Sequence, residues 1–519
     1  MMKLLIAAGL ALGLATPALA YDVVEKDIAT LSADMAAGRV SAAELVQAYQ
    51  ARIVQIDPLL HSVIALNSGA LAAARVLDAE RRTGHLRGPL HGIPILVKDN
   101  IETADMPTTA GSLALANNVT GRDAPVVVRL RAAGAIILGK TNLSEWANIR
   151  STASLSGWSA IGGLTHNPYV LDRSPCGSSA GSGAAVAASL AAAALGTETN
   201  GSLVCPGSLN GLVAIKPSVG LLSRTYIVPI SHTQDTPGPM ARNVADTTLL
   251  LSVMAGSDPQ DVATTEADAR KADYAALGAS LSGKMLGVVM PANTPDATKL
   301  VFAQALAVLR AAVAEIVLVP DFVRAPGASD QEGMVLKTEF KNDIAAYLAS
   351  LPGSSPKNLA DLIAFNARTP RELVLFGQDY FEMSQAKAGL DDPAYVAARA
   401  DLVASARTLI DSTLARDRLD ALIRPTDDAA FRLDIIKGDN DSSNASFLPA
   451  VSGYPHLTVP MGAVHGLPVG LSFMGPAWSE ATLLALGAAF EQAAKARKPP
   501  AFLPSLEAAS AEALSPLPH

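Results

Sequence analysis

The chain has 519 residues, a formal net charge of −8 and a mean hydropathy of +0.28. Half of the residues are apolar and 17% are charged, which excludes an intrinsically disordered chain. The length exceeds the roughly 250–300 residues at which single cores stop growing, so two domains or one broad α/β layer structure are both compatible with it. The acidic balance argues against binding to nucleic acid, because neutralising phosphates needs clustered cations.

The N-terminus has the pattern of a cleaved signal peptide. Met1-Met2-Lys3 is followed by an apolar run over 4–15 and by the small-residue site Ala18-Leu19-Ala20. The run is shorter than the roughly 20 apolar residues that a membrane span needs, and no Cys follows the site to carry a lipid anchor. We therefore expect a leader over 1–20, cleavage after Ala20 and a periplasmic or secreted protein. A buried N-terminal helix is the alternative.

The first third of the chain predicts a layered α/β arrangement. Residues 25–77 show helical spacing of apolar positions, and Ser41 with Glu44 resembles a capping box. A β-branched run over 92–97 then predicts a strand that ends in the polar residues Lys98, Asp99 and Asn100. A helix over 124–133 and a strand over 135–139 follow, and this strand–helix–strand order is typical of a layered sheet.

The remaining elements extend that pattern. Residues 151–182 are rich in Ser, Gly, Pro and Asn and predict a loop. The next predicted elements are an Ala-rich core helix over 183–196, a loop over 196–211, strands over 212–216, 284–291, 316–320, 457–459 and 469–473, and a helix over 480–494. Residues 258–428 are more charged and mostly helical in pattern. A single domain over 21–510 with a variable helical region over 258–428, followed by a tail over 511–519, fits better than two separable domains.

Two loops rich in small and hydroxyl residues are candidates for catalysis. They span 176–183 and 196–202 and flank the Ala-rich segment. Small residues let a substrate approach the backbone and leave N–H groups free to form an oxyanion hole. Such loops are more often plain turns, so composition alone does not decide between the two interpretations.

Lys98 is a candidate base because it ends a short apolar strand. Burial disfavours the ammonium form and lowers the pKa of a lysine, which makes a neutral amine available. The alternative is a lysine that reaches solvent or pairs with Asp99 or a glutamate. Cys176 and Cys205 are the two cysteines of the chain. A disulfide and two free thiols both remain open, and the absence of further ligands at suitable spacing argues against a metal site.

Taken together, these segments resemble the amidase signature family of serine hydrolases, over about 27–494. The motifs that carry the resemblance are GIPILVKD (92–99), GSSAGS (177–182), GS (201–202), GLVAIKP (211–217), GPMAR (238–242) and LPVGL (467–471). Within the family, the chain looks most like the bacterial peptide amidases at EWAN (145–148), SGWS (156–159) and NPYV (167–170).

The resemblance implies an α/β fold, a large mixed central β-sheet sandwiched by helices in a single domain. It implies that Ser202 is the nucleophile, Ser178 a bridging serine after a cis peptide bond, and Lys98 the base. The further roles that it implies are oxyanion N–H groups from Thr199, Asn200, Gly201 and Ser202, supporting hydroxyls at Ser179 and Thr197, and substrate binding by Asn148. No cofactor or metal is expected.

The implied activity is hydrolysis of carboxamides to carboxylate and ammonia, with C-terminal peptide amides as the expected substrates. The alternatives are an aryl or aliphatic amide or ester hydrolase of the same family, a non-catalytic binding protein on the same scaffold, and a component of an amidotransferase that acts on charged transfer RNA. The export signal argues against the last. A rival G-x-S-x-G elbow would make Ser179 the nucleophile, but it needs a preceding strand where 167–176 predicts a loop.

Two positions depart from the family pattern. Asp is common at Glu198 and Gly at Asn200, although Asn tolerates a positive φ better than most residues. Arg is frequent where Val204 stands, so recognition of a substrate carboxylate there is in doubt. These departures concern the substrate rather than the class of reaction.

Overall fold

The computed structural model describes residues 21–274, 278–322, 326–353, 356–440 and 445–509. The predicted leader, 1–20, and the predicted tail, 511–519, lie outside the described residues. Within the described ranges, no helix is both long and apolar enough to cross a membrane.

Eleven strands form one mixed sheet in the part of the chain that the structure describes, and β4 and β5 form a separate hairpin. The strands are β1 (Val63–Leu66), β2 (Pro94–Lys98), β3 (Ile136–Thr141), β4 (Trp158–Ser159), β5 (Gly163–Leu164), β6 (Ala193–Glu198), β7 (Val213–Lys216), β8 (Thr236–Ala241), β9 (Met285–Val289), β10 (Glu315–Val319), β11 (Ala421–Pro425), β12 (His456–Val464) and β13 (Leu467–Met474). Their order in the large sheet is β1-β3-β2-β6-β8-β7-β12-β13-β11-β9-β10.

Helices cover this sheet. They are α1 (Ile28–Ala36), α2 (Ala42–Ile56), α3 (Ala70–Arg82), α4 (Pro125–Ala132), α5 (Ala180–Ala187), α6 (Val204–Leu209), α7 (Val244–Met254), α8 (Ala267–Arg270), α9 (Asp296–Ala311), α10 (Ala328–Ala349), α11 (Leu359–Ala367), α12 (Asp379–Gln385), α13 (Pro393–Asp417), α14 (Phe447–Ser452), α15 (Glu480–Ala494) and α16 (Leu506–Ala509). The predicted capping box at Ser41 and Glu44 opens α2. The predicted fold class, a large mixed sheet with helices in a single domain, is confirmed.

Parallel pairing brings the polar strand ends together. Strand β2 is parallel to both β3 and β6, and all five of its residues are buried. The carboxyl ends of parallel neighbours meet at the same edge of a sheet. Lys98 at the end of β2 and Glu198 at the end of β6 therefore lie at one edge of the sheet, where the loop after β6 begins.

The Ala-rich segment corrects one sequence prediction. Residues 183–196 are not one helix, since α5 ends at Ala187 and β6 begins at Ala193. The loop predicted over 196–211 likewise contains the end of β6 and all of α6. Every residue of α5 and β6 is buried, so the run of small and apolar residues over 183–196 has neither a helical nor an alternating period. Periodicity cannot separate the two structures in such a run.

Strand β1 corrects a second prediction, because it interrupts the helical pattern over 25–77. It pairs antiparallel with β3, with Val63 opposite Thr141. Its partner lies more than 70 positions along the chain, so local spacing carries no signal of the pairing.

The variable helical region is part of the sheet rather than an appendage. Residues 258–428 contain β9, β10 and β11, and β9 pairs parallel with both of the others. Strand β11 then pairs antiparallel with β13. The region therefore contributes the strands at one edge of the central sheet as well as helices.

Candidate active site

Lys98 is fully buried, and its amine contacts the two loops rich in small and hydroxyl residues. Its Nζ atom lies 2.8 Å from Ser178 Oγ, 2.8 Å from Thr197 Oγ1 and 3.3 Å from the Thr197 carbonyl oxygen. Asn100, two residues further on, donates from Nδ2 to Thr197 Oγ1 at 2.9 Å. The structure thus brings together Lys98, Ser178 and Thr197, which the sequence predicted as neighbours.

Burial lowers the pKa of Lys98 to about 7, and the charges of Asp235 and Glu198 oppose that shift. The alternative that Lys98 pairs with Asp99 is wrong, because Asp99 forms an ion pair of 3.3 Å with Lys140 on the neighbouring strand β3. At neutral pH a substantial fraction of Lys98 is therefore a neutral amine that can accept a proton.

Ser178 is held in a tightly packed segment beside Lys98. The peptide bond between Gly177 and Ser178 is cis, and Ser178 is fully buried. The Ser178 carbonyl accepts a hydrogen bond of 3.0 Å from the backbone N–H of Ser144. A Cβ atom at position 177 would collide with Ser144 Oγ, so only glycine fits there.

Ser202 differs from the other two serines because it opens to a cavity. The cavity has a volume of about 270 Å³, and Ser202 lines it while Ser178, Ser179 and Lys98 do not. The Ser179 N–H donates to the Ser202 carbonyl at 3.3 Å, but among the described residues no hydrogen bond joins the Ser178 and Ser202 hydroxyls. Such bonds are often long in unliganded hydrolases and tighten when substrate binds.

Glu198 fixes the turn that carries Ser202. Its Oε2 atom accepts from the backbone N–H groups of Leu203 and Val204, at 2.8 and 3.1 Å. These N–H groups stand at the beginning of α6, where a helix has no internal acceptors. A glutamate therefore satisfies the capping requirement at the position where the family pattern favours aspartate. Val204 itself is buried.

The elbow alternative for Ser179 is wrong. No strand precedes it, and its hydroxyl is fully buried. Ser179 Oγ donates to the Thr197 carbonyl at 3.1 Å and accepts from the Thr197 N–H at 3.2 Å. Ser179 and Thr197 therefore tie the two loops together, as supporting hydroxyls do.

The loop Thr199–Ser202 presents backbone donors to the cavity. The N–H groups of Asn200, Gly201 and Ser202 have no acceptor within the part of the chain that the structure describes. The left-handed position is Gly201, with a φ of 82°, and not Asn200. Tolerance of positive φ is therefore not the reason that Asn is accommodated at 200. Free N–H groups beside a serine that opens to a cavity are the arrangement that an oxyanion hole requires.

Asn148 lies on an unusual turn at the cavity wall. Trp146, Ala147 and Asn148 are consecutive non-glycine residues with φ of 50°, 54° and 73°. Asn148 Nδ2 donates to Ser156 Oγ at 3.3 Å, while Oδ1 is buried and without a hydrogen-bond partner. Asn148 is one of the residues that line the cavity, as its predicted role in substrate binding requires.

Several residues of this site were missed from the sequence. Asp235 accepts from Thr199 Oγ1 at 2.6 Å, and burial raises the pKa of Asp235 to about 6. The cavity wall is completed by side chains from distant segments, namely Leu336, Tyr380, Phe431, Asp439 and Ser446. The sequence could have identified Asn100 as a site residue, since it follows the same strand as Lys98. It contains no pattern that points to the distant residues of the cavity wall.

One group in the described ranges has the spacing of metal ligands. The ligand atoms of His232, Glu339 and Asp343 lie within 4.8 Å of one another. Glu339 already accepts from Tyr395 Oη at 2.8 Å and from Thr233 Oγ1 at 2.5 Å, and His232 Nδ1 contacts Asp343 at 2.9 Å. Protein partners therefore use these atoms, and we assign the group a structural role.

A disulfide joins Cys176 to Cys205, which resolves the alternative left open by the sequence. Their Cα atoms are 5.9 Å apart, and 29 positions separate them in the chain. Cys176 is two residues before Ser178, and Cys205 is three residues after Ser202. The bond therefore ties together the two segments that carry the serines.

The chain matches known amidases over most of its length. A family model described as Amidase matches residues 44–484. The solved native peptide amidase from Stenotrophomonas maltophilia is 48% identical, with a TM-score of 0.87, and the match covers 92% of this chain and 99% of that one. A probable amidase of Arabidopsis thaliana is 39% identical over 90% of this chain and 89% of its own length. A putative amidase of Arthroderma benhamiae is 36% identical over 90% of this chain and 82% of its own length.

Removal of the disulfide should destabilise the protein. Closing a loop of this length restricts the unfolded chain by about 3–4 kcal/mol in the chain-entropy model. We expect Cys176→Ser/Cys205→Ser to lower the free energy of unfolding by about 2–4 kcal/mol, measured by denaturant unfolding. Treating the wild type with dithiothreitol should reproduce the change and leave the variant unaffected. Equal stability of variant and wild type would contradict a contribution of the bond to the fold.

Proposed function

This chain belongs to the amidase family and is an amide hydrolase, and we propose that it is an exported enzyme that hydrolyses C-terminal peptide amides to carboxylate and ammonia. The observation that carries the proposal is a buried Lys98 amine 2.8 Å from Ser178, beside a Ser202 that opens to a cavity of about 270 Å³. We assign Ser202 as the nucleophile, Ser178 as the proton bridge and Lys98 as the base.

The three hydrogen-bond partners of the Lys98 amine support its role as base. A neutral amine has two N–H donors and one lone pair. The two donors match the carbonyl and hydroxyl oxygens of Thr197, and the lone pair then faces the Ser178 hydroxyl. Ser178 is thereby oriented to donate to Lys98 and to accept a proton from Ser202.

The reaction follows from these positions. Ser202 Oγ attacks the carboxamide carbon, and its proton passes through Ser178 to Lys98. The C=O π-bond opens to an oxyanion. We assign its stabilisation to the N–H groups of Thr199, Asn200, Gly201 and Ser202. The proton returns through Ser178 to the nitrogen as the C–N bond breaks and ammonia leaves. Water then attacks the acyl-enzyme along the same proton path and releases the carboxylate.

The cavity supports an acyl group of peptide type. Leu336, Tyr380 and Phe431 give it apolar and aromatic walls, and Asn148 lies at the same cavity wall with a side-chain amide of the kind that binds peptide groups. Val204 supplies no cation where other family members carry arginine. This favours a neutral amide over a substrate that must present a carboxylate there. The similar peptide amidase from Stenotrophomonas maltophilia supports the same choice.

Export is proposed from the leader pattern over 1–20, and the Cys176–Cys205 disulfide supports it, because disulfides persist in oxidising compartments. Expression of the full chain in a bacterial host should yield a protein that begins at Tyr21. Mass spectrometry of the N-terminus in periplasm and medium measures this. Retention of Met1 in a cytosolic product would contradict export.

A substrate panel tests the proposed activity. We expect ammonia release from N-acetylated peptide amides, with lower kcat/KM for free amino-acid amides and aliphatic amides. Ser202→Ala should abolish release while the thermal unfolding curve stays unchanged.

Lys98→Met should lower kcat at least 100-fold, because a general base contributes about 10²–10⁴-fold. Absence of release from every amide by folded wild-type protein would refute the proposal, and near-normal turnover by Lys98→Met would refute its role as base.

The pH dependence tests the protonation state of Lys98. Since the neutral amine is the active form and burial lowers the pKa of Lys98 to about 7, kcat/KM should rise with pH through about 7 and level off above it. The negative charge of Asp235 raises that pKa. Asp235→Asn should therefore move the acidic limb of the profile to lower pH, whatever its effect on the plateau. An unmoved limb, or a shift to higher pH, would contradict the assignment.

A further inference from the structure

The side chain of Asn200, in the proposed oxyanion loop, is held at both ends. Its Nδ2 donates to Glu332 Oε1 at 2.7 Å, and its Oδ1 accepts from Ser446 Oγ at 2.5 Å. Glu332 lies on α10, and Ser446 immediately precedes α14. The position is one at which many family members carry glycine, which could make neither bond.

The same glutamate reaches the loop by a second route. Gln234 Nε2 donates to Glu332 Oε1 at 3.1 Å and to the Thr199 carbonyl at 3.3 Å. Ser446 also packs over the next residue, since a Cβ built at Gly201 would lie 3.1 Å from Ser446 Oγ. Glu332 and Ser446, which belong to other segments of the chain, therefore contact the segment 199–201 either directly or through Gln234.

Helix α10 also forms part of the cavity wall. Leu336 lies one turn after Glu332, so the two side chains share a face of the helix, and Leu336 lines the cavity beside Ser202. One helix thus contacts both the space for the acyl group and the loop that carries the N–H donors.

We propose that Glu332, acting through Asn200, is a positioning residue that holds the Asn200–Ser202 N–H groups in place for the transition state. The inference rests on Ser202 being the nucleophile, but not on peptide amides being the substrate. The loop lies outside the regular helices and strands, and its donors help only if they are already aimed where negative charge develops. We call the contact between Glu332 and Asn200 the clamp. Its loss lowers the rate of the chemical step rather than the affinity for substrate.

The test measures phosphonylation of Ser202 by a fluorophosphonate probe, together with kcat and KM for any amide that is cleaved. In the labelling reaction Ser202 Oγ bonds to phosphorus, fluoride leaves, and the serine proton passes through Ser178 to Lys98. The phosphoryl oxygen occupies the oxyanion site. The readout therefore reports the loop even if every peptide amide proves inert, which separates this inference from the choice of substrate.

We expect Glu332→Ala and Asn200→Ala each to slow labelling roughly tenfold and to lower kcat by a similar factor with little change in KM. The double variant should be no slower than the slower single variant, because the two residues act in one chain of contacts. Glu332→Gln keeps an acceptor oxygen and should restore the rate to within about threefold of the wild type. Asp330→Ala removes an exposed carboxylate from the same helix and serves as the matched control.

Three results would overturn the proposal: unchanged labelling in either single variant, multiplicative losses in the double variant, or an equal loss in Asp330→Ala. A rise in KM at constant kcat would assign Glu332 to substrate binding instead. If Glu332→Ala does not fold, then Asn200→Ala and Glu332→Gln decide the question, since normal rates in Asn200→Ala alone contradict the clamp. A wild type that the probe does not label would refute the nucleophile and the clamp with it.

Discussion

The removal of Lys98 from water is the constraint on which the rest of the site depends. A buried ammonium is expensive, so the surroundings decide whether the amine stays charged. Around Lys98 the direct contacts are neutral oxygens from Ser178 and Thr197. The nearby carboxylates, Glu198 and Asp235, accept hydrogen bonds from backbone N–H groups and a hydroxyl. They act on Lys98 through charge alone, which leaves its pKa near neutrality.

A second buried lysine shows how much the partner matters. Lys140 lies on β3, next to β2, and is as completely buried as Lys98. Burial lowers the pKa of both lysines, but Lys140 faces the carboxylate of Asp99 at 3.3 Å. Lys140 also donates to the Ile101 carbonyl at 2.6 Å, so its donors are used within the protein. Lys140 is thus one half of a buried ion pair, whereas Lys98 has no carboxylate of the described residues in direct contact and is the lysine that we propose as the base.

The sequence was most informative where the relevant interactions are local. The strand ending at Lys98 and the loops around Ser178 and Ser202 follow from short patterns of apolar, small and hydroxyl residues. The failures have non-local causes. The all-buried run that contains β6 has no period, and Glu332 and Ser446 lie 132 and 246 positions from Asn200. Only folding brings such pairs together, so no motif around Asn200 announces them.

The strands that the variable region adds to the sheet limit how this architecture can diverge. If the variable region were joined to the sheet only by two loops, it could be replaced as a whole without disturbing the sheet. Here, removal of β9, β10 and β11 would strip the partner from β13 and expose the backbone of a buried strand. Uncovered edges invite pairing with other chains. New specificities on this scaffold are therefore expected to arise by replacement of side chains on the helices, with the three strands retained.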